Sequence, residues 1–502
     1  MLAAVITSRN FAEAYDDLKK SKDCEVIEFR LDYMQEMELI KLKNFISRRK
    51  KPMIITCRKG SEGGFSNIDD TERIALLMKS IEFNADYIDI EYSSNKNSIK
   101  KIIENKKNTK IIISYHNLKE TPKNLKIIFN NIKNLSPDFI KIVTNANSVT
   151  DNFRIFHLIK EASREKRRII AFCMGSYGQF SRILSPMLGS KITYASVENG
   201  KESAIGQLTT EESTNIYRIK KLNKNTKILG LVGNPVEHSC SHIMHNAAFG
   251  KLGINAVYLK FKVDKLKEFI QYFRKLNILG FSVTIPHKIE VMKYLDDIDK
   301  RAKSIGAVNT IVFKNKKLIG YDTDCYGAMQ ALKEKTQIRN KNVAVLGAGG
   351  SSRALVYGLI ENNANVTILN RTMEKAKSIA DNFNCNYDSL NELDNINYDI
   401  LINTTPLGMY PNADCSPVPV SSIKNDTVVF DIVFNPYKTK LLRYAEKKGC
   451  TIIPGIEMLI NGAVLQFKLW TGKDAPEGLM REKVMDYFNL TDKSESLTKF
   501  NK

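Results

Sequence analysis

The stretch that most constrains the fold is Asn342 to Thr372, NVAVLGAGGSSRALVYGLIENNANVTILNRT. A short apolar run, Val343 to Leu346, reads as a buried strand and passes directly into Gly347-Ala348-Gly349-Gly350. A helical segment follows, then a second β-rich run, Val366 to Leu369. This is one βαβ unit with glycines at its first turn. There the backbone can approach a pyrophosphate, and the free N–H groups of the helix can bind it. The pattern is not the full G-x-G-x-x-G, because Ser352 stands where the third glycine would be. The second strand ends in Asn370-Arg371-Thr372. An NAD site usually carries an acidic residue at this point to hold the ribose hydroxyls. An arginine instead attracts a 2′-phosphate and can bind it bidentately. The expected cofactor is therefore NADP(H).

A chain of 502 residues is too long for one ordinary domain, so two or three are expected. No apolar run approaches the length of a membrane span. The opening MLAAVITSR reads as a strand, with neither the regions of a signal peptide nor an Arg/Ser-rich organellar leader. A cytoplasmic location, and a bacterial one rather than a plastid, is the expectation. Cysteines 24, 57, 173, 240, 325, 385, 415 and 450 form no C-x-x-C pair, which suggests reduced thiols without a disulfide framework or zinc site. The net charge of +21 would suit nucleic acid. The lysines are dispersed, however, and attraction of small anionic substrates and cofactors is the simpler use of such a field. Neither a nucleic-acid nor a membrane partner is expected, and oligomeric state is not legible.

The first part alternates strand-like and helix-like segments. Strands are expected at 3–7, 26–31, 53–57, 87–91, 110–115, 139–143, 168–173 and 192–197, with amphipathic helices such as 71–83 and 148–165 between them. About eight βα units in little more than 200 residues is the arithmetic of a (β/α)8 barrel. Chemistry in that fold sits at the C-terminal ends of the strands, and Glu28, Arg30, Arg58, Glu91, His116 and Lys141 fall there. The expected organisation is an α/β chain with a barrel over 1–219 and a polar linker, KKLNKNTK, over 220–227. A second α/β region covers 228–340, and the Rossmann unit covers 341–456. Helices over about 457–490 would complete the middle region, leaving a mobile tail over 491–502.

Lys141 lies in the apolar run FIKIV. Desolvation among Phe139, Ile140, Ile142 and Val143 would favour the neutral amine, which forms Schiff bases with ketones. A strand-end lysine facing solvent is the alternative. His116 ends the fifth strand, and Glu91, at the end of the fourth, is placed to orient it.

EFRLD (28–32), TCRKGSEGG (56–64), YIDIE (87–91), SYHN (114–117), KIVTNANSVTD (141–151), MGSYGQFSR (174–182) and GKESAIGQL (200–208) occur in order. Together they resemble type I 3-dehydroquinate dehydratase over about residues 1–218. The resemblance implies that Lys141 forms an imine with the substrate ketone, that His116 moves the proton, and that Glu91 holds the imidazole. It implies that Glu28, Arg30, Arg58, Arg182, Ser203 and Gln207 grip the carboxylate and hydroxyls. Ile205 stands where many relatives have proline.

The middle region carries GNPVEHSCSHIMHNAAF (233–249), FSVTIPHK (281–288), GAVNT (306–310) and GYDTD (320–324). His238, His242 and His245 lie close together, but no carboxylate or cysteine pattern completes a metal site, and none is expected. Ser239 and Ser241 stand at a helix start, where capping is one role for them and substrate binding another. These motifs, with NTTPLGM (403–409) and PGIEML (454–459), resemble shikimate dehydrogenase over about residues 228–490. The resemblance implies that Ser239, Ser241, Thr284 and Asn309 hold the substrate, with Lys288 and Asp324 as the acid–base pair. It assigns NADP to Gly347, Ala348, Gly349, Gly350, Ser351, Asn370, Arg371, Thr372 and Gly455. Two residues depart from the family pattern: Phe434 replaces a tyrosine in DIVF, and Gly462 replaces a glutamine four residues after Met458.

The product expected of the first half, 3-dehydroshikimate, is the substrate expected of the second. A bifunctional enzyme is therefore the main expectation. A second half tuned to quinate or a related polyol acid is one alternative, motivated by Phe434 and Gly462. A non-catalytic regulator is another, opposed by the presence of Lys141, His116, Lys288 and Asp324 at motif positions.

Overall fold

In a computed structural model, residues 1–66 and 68–498 are described, with side chains as far as Phe488. Two compact units form: residues 1–226 with 261–277, and residues 227–260 with those from 278 onward.

In the first unit the β-rich runs become eight parallel strands. These are β1 (Leu2–Ile6), β2 (Val26–Arg30), β3 (Met53–Thr56), β4 (Tyr87–Glu91), β5 (Lys110–Asn117), β6 (Phe139–Asn145), β7 (Ile169–Met174) and β8 (Thr193–Ser196). Their order, β7-β6-β5-β4-β3-β2-β1-β8, wraps the sheet into a nearly closed barrel with β7 and β8 at the seam. Strand alternation fills its interior. Val26, Tyr87, Ile112 and Phe139 share the inner cluster with Ala3, Ile54, Ile170 and Tyr194. Two residues further along each strand, that same inward file carries Glu28, Asp89, Ser114 and Lys141. The barrel thus changes from apolar to charged along its axis. Phe261 and Phe273 belong to this unit by packing, with ring centroids 4.9 Å and 6.0 Å from Phe180.

The second unit holds two sheets. The first comprises β9 (Lys227–Gly233), β10 (Ala256–Lys262, whose last two residues fall in the first unit), β11 (Gly280–Val283), β12 (Asp297–Ile298), β13 (Thr310–Lys314) and β14 (Lys317–Tyr321), in the order β10-β9-β11-β13-β14-β12. The hairpin of β13 and β14 makes it a mixed sheet. The other comprises β15 (Asn342–Leu346), β16 (Asn365–Asn370), β17 (Asn386–Ser389), β18 (Ile400–Asn403), β19 (Val428–Asp431) and β20 (Thr451–Pro454). It is a parallel sheet in the order β17-β16-β15-β18-β19-β20, with the reversal of a doubly wound fold beside β15. The helix Gly455–Thr471 and the residues Met480, Val484 and Phe488 pack with Leu229, Met244 and Phe249 of the mixed-sheet region. The expected tail is helical to Thr498, and residues 499–502 lie outside the described residues. No helix among the described residues is long and apolar enough to cross a membrane.

Candidate active sites

Each unit has a cavity at its strand ends. The barrel cavity, about 240 Å³, is lined by Glu28, Arg30, Arg58, His116, Lys141, Arg182, Ser203 and Gln207, all expected from the sequence. Lys141 is buried, yet its surroundings differ from the apolar pocket expected. Of the four expected apolar neighbours, only Phe139 and Val143 share its face of β6, and its Nζ donates to Asp89 Oδ2 at 2.8 Å and to Glu28 Oε1 at 3.3 Å. Burial alone would raise the Asp89 carboxyl, but the charges of Arg58 and Lys141 hold it well below its ordinary value.

Glu91 is not a partner of His116. Its carboxylate accepts from Arg58 Nη1 and the Lys59 N–H at 2.9 and 3.1 Å and is also paired with the buried Arg73. Glu62 takes the expected place. It accepts from the His116 backbone N–H at 2.9 Å and lies 3.1 Å from Nδ1, while Ser93 Oγ donates to its other oxygen. The turn that delivers Glu62 depends on Gly64, where a Cβ would lie 2.1 Å from the Arg58 carbonyl oxygen. The sequence signal for Glu62 is the R-x-x-x-E-G-G of TCRKGSEGG, in which the acidic residue stands one turn after Arg58. Burial, then the charges of Arg58 and Lys141, push His116 well below its usual value, so the imidazole is neutral near pH 7.

The cations differ in their partners. Arg30 is held by Asp32 through two hydrogen bonds of 2.9 and 2.7 Å. Arg58 is shared among Asp89, Glu91 and Ser114. Arg182 is buried at 3% exposure with Nε and Nη2 unpartnered among the described residues. Burial with no carboxylate beside it brings its pKa down to about 10. A guanidinium in that position is complementary to an anion entering the cavity. Gln207 Oε1 accepts from the N–H and hydroxyl of Ser203, which ties the covering loop together.

The second cavity, about 550 Å³, runs from the mixed sheet to the glycine turn of the parallel sheet. Ser239, Ser241, Thr284, Lys288, Asn309 and Asp324 line it, as do Gly347 to Ser351, Asn370 to Thr372 and Gly455. Ser239 Oγ accepts the Ser241 N–H at 3.2 Å, so it supports the helix start while facing the cavity. Lys288 Nζ donates to Asp324 Oδ2 at 2.5 Å and to Ser351 Oγ at 2.9 Å. Asn309 Nδ2 donates to the other oxygen of Asp324 at 2.6 Å, which fixes the carboxylate between lysine and amide. His238 lines the cavity, whereas His242 and His245 are buried, and His245 stacks on Tyr258.

The nucleotide turn fits a dinucleotide phosphate. Gly347 has φ +108°, and a Cβ there would lie 2.6 Å from Thr404 Oγ1. Gly349 has nothing within 4 Å of the position a Cβ would take, so the backbone is open to close approach. The first turn of the helix Gly350–Glu361 lines the same space, and Arg371 is exposed at its far end. Lys375, unread in the sequence, joins Arg371 there; the signal was a second cation in the first turn of the following helix, Met373–Phe383.

Phe434 lines the cavity, whereas Gly462 and Asn461 do not. A Cβ on Gly462 would meet the Thr323 carbonyl oxygen at 3.4 Å, where its helix passes the helix Asp324–Lys333. Gln466, one turn further on, lines the cavity instead. Its amide accepts from Ser282 Oγ at 3.1 Å and donates to Thr310 Oγ1 at 2.9 Å.

The family model of type I 3-dehydroquinase matches residues 2–224. The models for the shikimate dehydrogenase substrate-binding domain, shikimate/quinate 5-dehydrogenase and the shikimate 5′-dehydrogenase C-terminal domain match 231–311, 329–433 and 455–485. Over 92% of its length the chain is 36% identical to the chloroplastic bifunctional 3-dehydroquinate dehydratase/shikimate dehydrogenase of Arabidopsis thaliana, covering 80% of that protein. It is 32% identical to the shikimate biosynthesis protein AroDE of Chlamydia pneumoniae, over 94% of this chain and 95% of that one. A solved shikimate dehydrogenase in complex with NADP+ superposes with a TM-score of 0.51 at 45% identity, covering 53% of this chain and 97% of its own.

Proposed function

The chain belongs to the family of bifunctional 3-dehydroquinate dehydratase/shikimate dehydrogenases, and on that premise we propose that the barrel cavity is its dehydratase site and the Lys288 cavity its dehydrogenase site. The enzyme dehydrates 3-dehydroquinate and reduces the resulting 3-dehydroshikimate to shikimate with NADPH. The dehydratase domain is residues 1–219. Residues 228–340, completed by the helices of 457–490, bind the second substrate, and residues 341–456 bind NADP. The observation that carries this reading is that each cavity holds one acid–base constellation, Lys141 with His116 and Lys288 with Asp324.

In the barrel, the amine of Lys141 forms an imine with the substrate ketone. The iminium draws electrons from the adjacent C–H bond, and neutral His116 takes the proton. Nδ1–H is directed at Glu62, which leaves Nε2 as the accepting nitrogen. The electron pair then expels the β-hydroxyl, to which His116 returns a proton, and water releases Lys141 for the next cycle. Arg182 receives the carboxylate, because it alone among the three arginines that line the cavity, Arg30, Arg58 and Arg182, has unpartnered buried N–H groups. In the second site bound NADPH supplies the hydride. Lys288 donates a proton to the substrate oxygen, and Asp324, anchored by Asn309, keeps the ammonium directed. Ser239, Ser241 and Thr284 bind the carboxylate and hydroxyls. Arg371 and Lys375 hold the 2′-phosphate.

A cytoplasmic location belongs to this reading, supported by eight cysteines that are all free; cell fractionation tests it. The functional test is incubation with 3-dehydroquinate and NADPH, following enone absorbance and NADPH loss together. Transient enone followed by stoichiometric NADPH oxidation is expected. Enone accumulation without oxidation would remove the second assignment, and no enone would remove the first.

A further inference from the structure

Tyr194 on β8 lies in the barrel cavity but has no part in the reading above. Its ring centroid is 4.2 Å from Lys141 Nζ. The side chain is 5% exposed, and its hydroxyl is buried with no hydrogen-bond partner among the described residues. The ring, rather than the hydroxyl, is the part that meets the reacting nitrogen.

The charge on Lys141 changes its hydrogen-bonding capacity during the reaction. The ammonium has three N–H donors and uses two of them on Asp89 and Glu28. Imine formation joins the amine nitrogen to the ketone carbon. The carbonyl oxygen leaves as water, carrying one hydrogen from nitrogen and one added proton. The product, C=N⁺–H, keeps the positive charge with a single N–H, so one of the two carboxylate hydrogen bonds is lost. A ring face attracts a cation without needing an N–H aimed at it. Relative to the neutral amine that attacks the ketone, the ring's attraction is gained as the iminium forms and offsets the lost hydrogen bond, which is the differential binding that accelerates a step.

We propose that Tyr194 is a catalytic residue of the dehydratase site, whose aromatic face stabilises the iminium at Lys141 Nζ. The proposal rests on the imine assignment to Lys141. Tyr194→Phe keeps the face and removes only an unpartnered hydroxyl, so its kcat should stay within about twofold of wild type. Tyr194→Leu should lower kcat by roughly ten- to thirtyfold with little change in KM. Borohydride, added with 3-dehydroquinate, reads the iminium directly, and the fraction of protein trapped at Lys141 should fall in the leucine variant and hold in the phenylalanine one.

Because leucine also alters packing, a second comparison keeps shape fixed. With 3,4,5-trifluorophenylalanine in place of Tyr194, the electron-poor face should cut trapping and kcat by severalfold relative to phenylalanine. Equal trapping and turnover for the phenylalanine and trifluorophenylalanine proteins would overturn the role of the ring alone. Trapping at a lysine other than Lys141 in the wild-type enzyme would overturn the imine assignment and the role of Tyr194 with it.

Discussion

The two sites solve the same problem, holding a lysine beside a carboxylate, with opposite degrees of closure. In the barrel, Lys141, Glu28 and Asp89 are each at most 5% exposed, and their contacts cross the interior of one sheet, from β6 to β4 and β2. In the dehydrogenase site Lys288 and Asp324 are 13% and 17% exposed, and their partners come from a loop, a helix start and the nucleotide turn. The barrel lysine must carry a covalent intermediate through several proton transfers, so enclosure that excludes water is an advantage. The dehydrogenase lysine makes one proton transfer in a cavity that must also admit a dinucleotide, and it stays accessible. Burial of a catalytic lysine here follows the number of steps it serves more closely than the reaction's charge.

The largest test of this contrast is Lys141→Ala. It should abolish dehydration while leaving reduction of supplied 3-dehydroshikimate at wild-type rate, measured by NADPH oxidation. Residual dehydration above background would mean that enclosure and not imine chemistry drives the barrel reaction. The counterpart, Lys288→Ala, should be milder, because proton transfer from a partly exposed site can be taken over by water. Its kcat for reduction should fall by ~10²–10⁴-fold, with dehydration unchanged. A kcat near wild type would mean that the proton donor lies elsewhere in that cavity.

The same contrast decides what could be read from sequence. The repeat of strand-like and helix-like segments placed Glu28, Arg30, His116 and Lys141 at the C-terminal ends of barrel strands, and β1 to β8 formed where the strand-like runs lay. Alternation does not say which of several inward charges pair across strands. That is why Lys141 was expected among apolar neighbours and is met by Asp89, and why Glu91 was expected at His116 and is occupied by Arg58 and Arg73. Glu62 was out of reach of strand logic, since it sits on a turn after β3. In the second site every motif residue carried over from the resemblance lines one cavity, yet the bond between Lys288 and Ser351 spans 63 residues and no local pattern encodes it. Gln466 was likewise hidden, because a glutamine on an apolar helix face reads as an intrusion until its partners Ser282 and Thr310 are known.

Further effects should be graded. Arg371→Ala removes a charge-assisted contact to the 2′-phosphate, so NADPH should bind roughly ten- to a hundredfold more weakly. NADH, which lacks that phosphate, should change little in the same titration. Equal losses would show that Arg371 does not read it. In the barrel, the acid limb of kcat/KM for dehydration should lie below pH 6.5. A general base is lost as pH falls through its folded value, and burial together with Arg58 and Lys141 holds His116 under its ordinary one. A limb at or above 6.5 would detach that limb from His116.

The smallest effect tests the wall of the open site. Phe434 faces the cavity, so Phe434→Tyr places a hydroxyl where the substrate lies, and one added hydrogen bond is worth about 0.5–1.5 kcal/mol. KM for 3-dehydroshikimate should fall severalfold. Gly462→Gln should not produce the same gain. Gly462 is absent from the cavity wall, and its Cβ direction leads toward Thr323 between two closely packed helices. The expected outcome is an unchanged or higher KM and a lower Tm. Gln466 already supplies an amide to that wall, bonded to Ser282 and Thr310. If Phe434→Tyr instead favours quinate over shikimate in side-by-side turnover, the apolar wall selects the polyol acid rather than merely lacking a contact. The open site would then be the half of the molecule in which specificity is set by what lines the cavity, while the barrel sets its own by what is already paired.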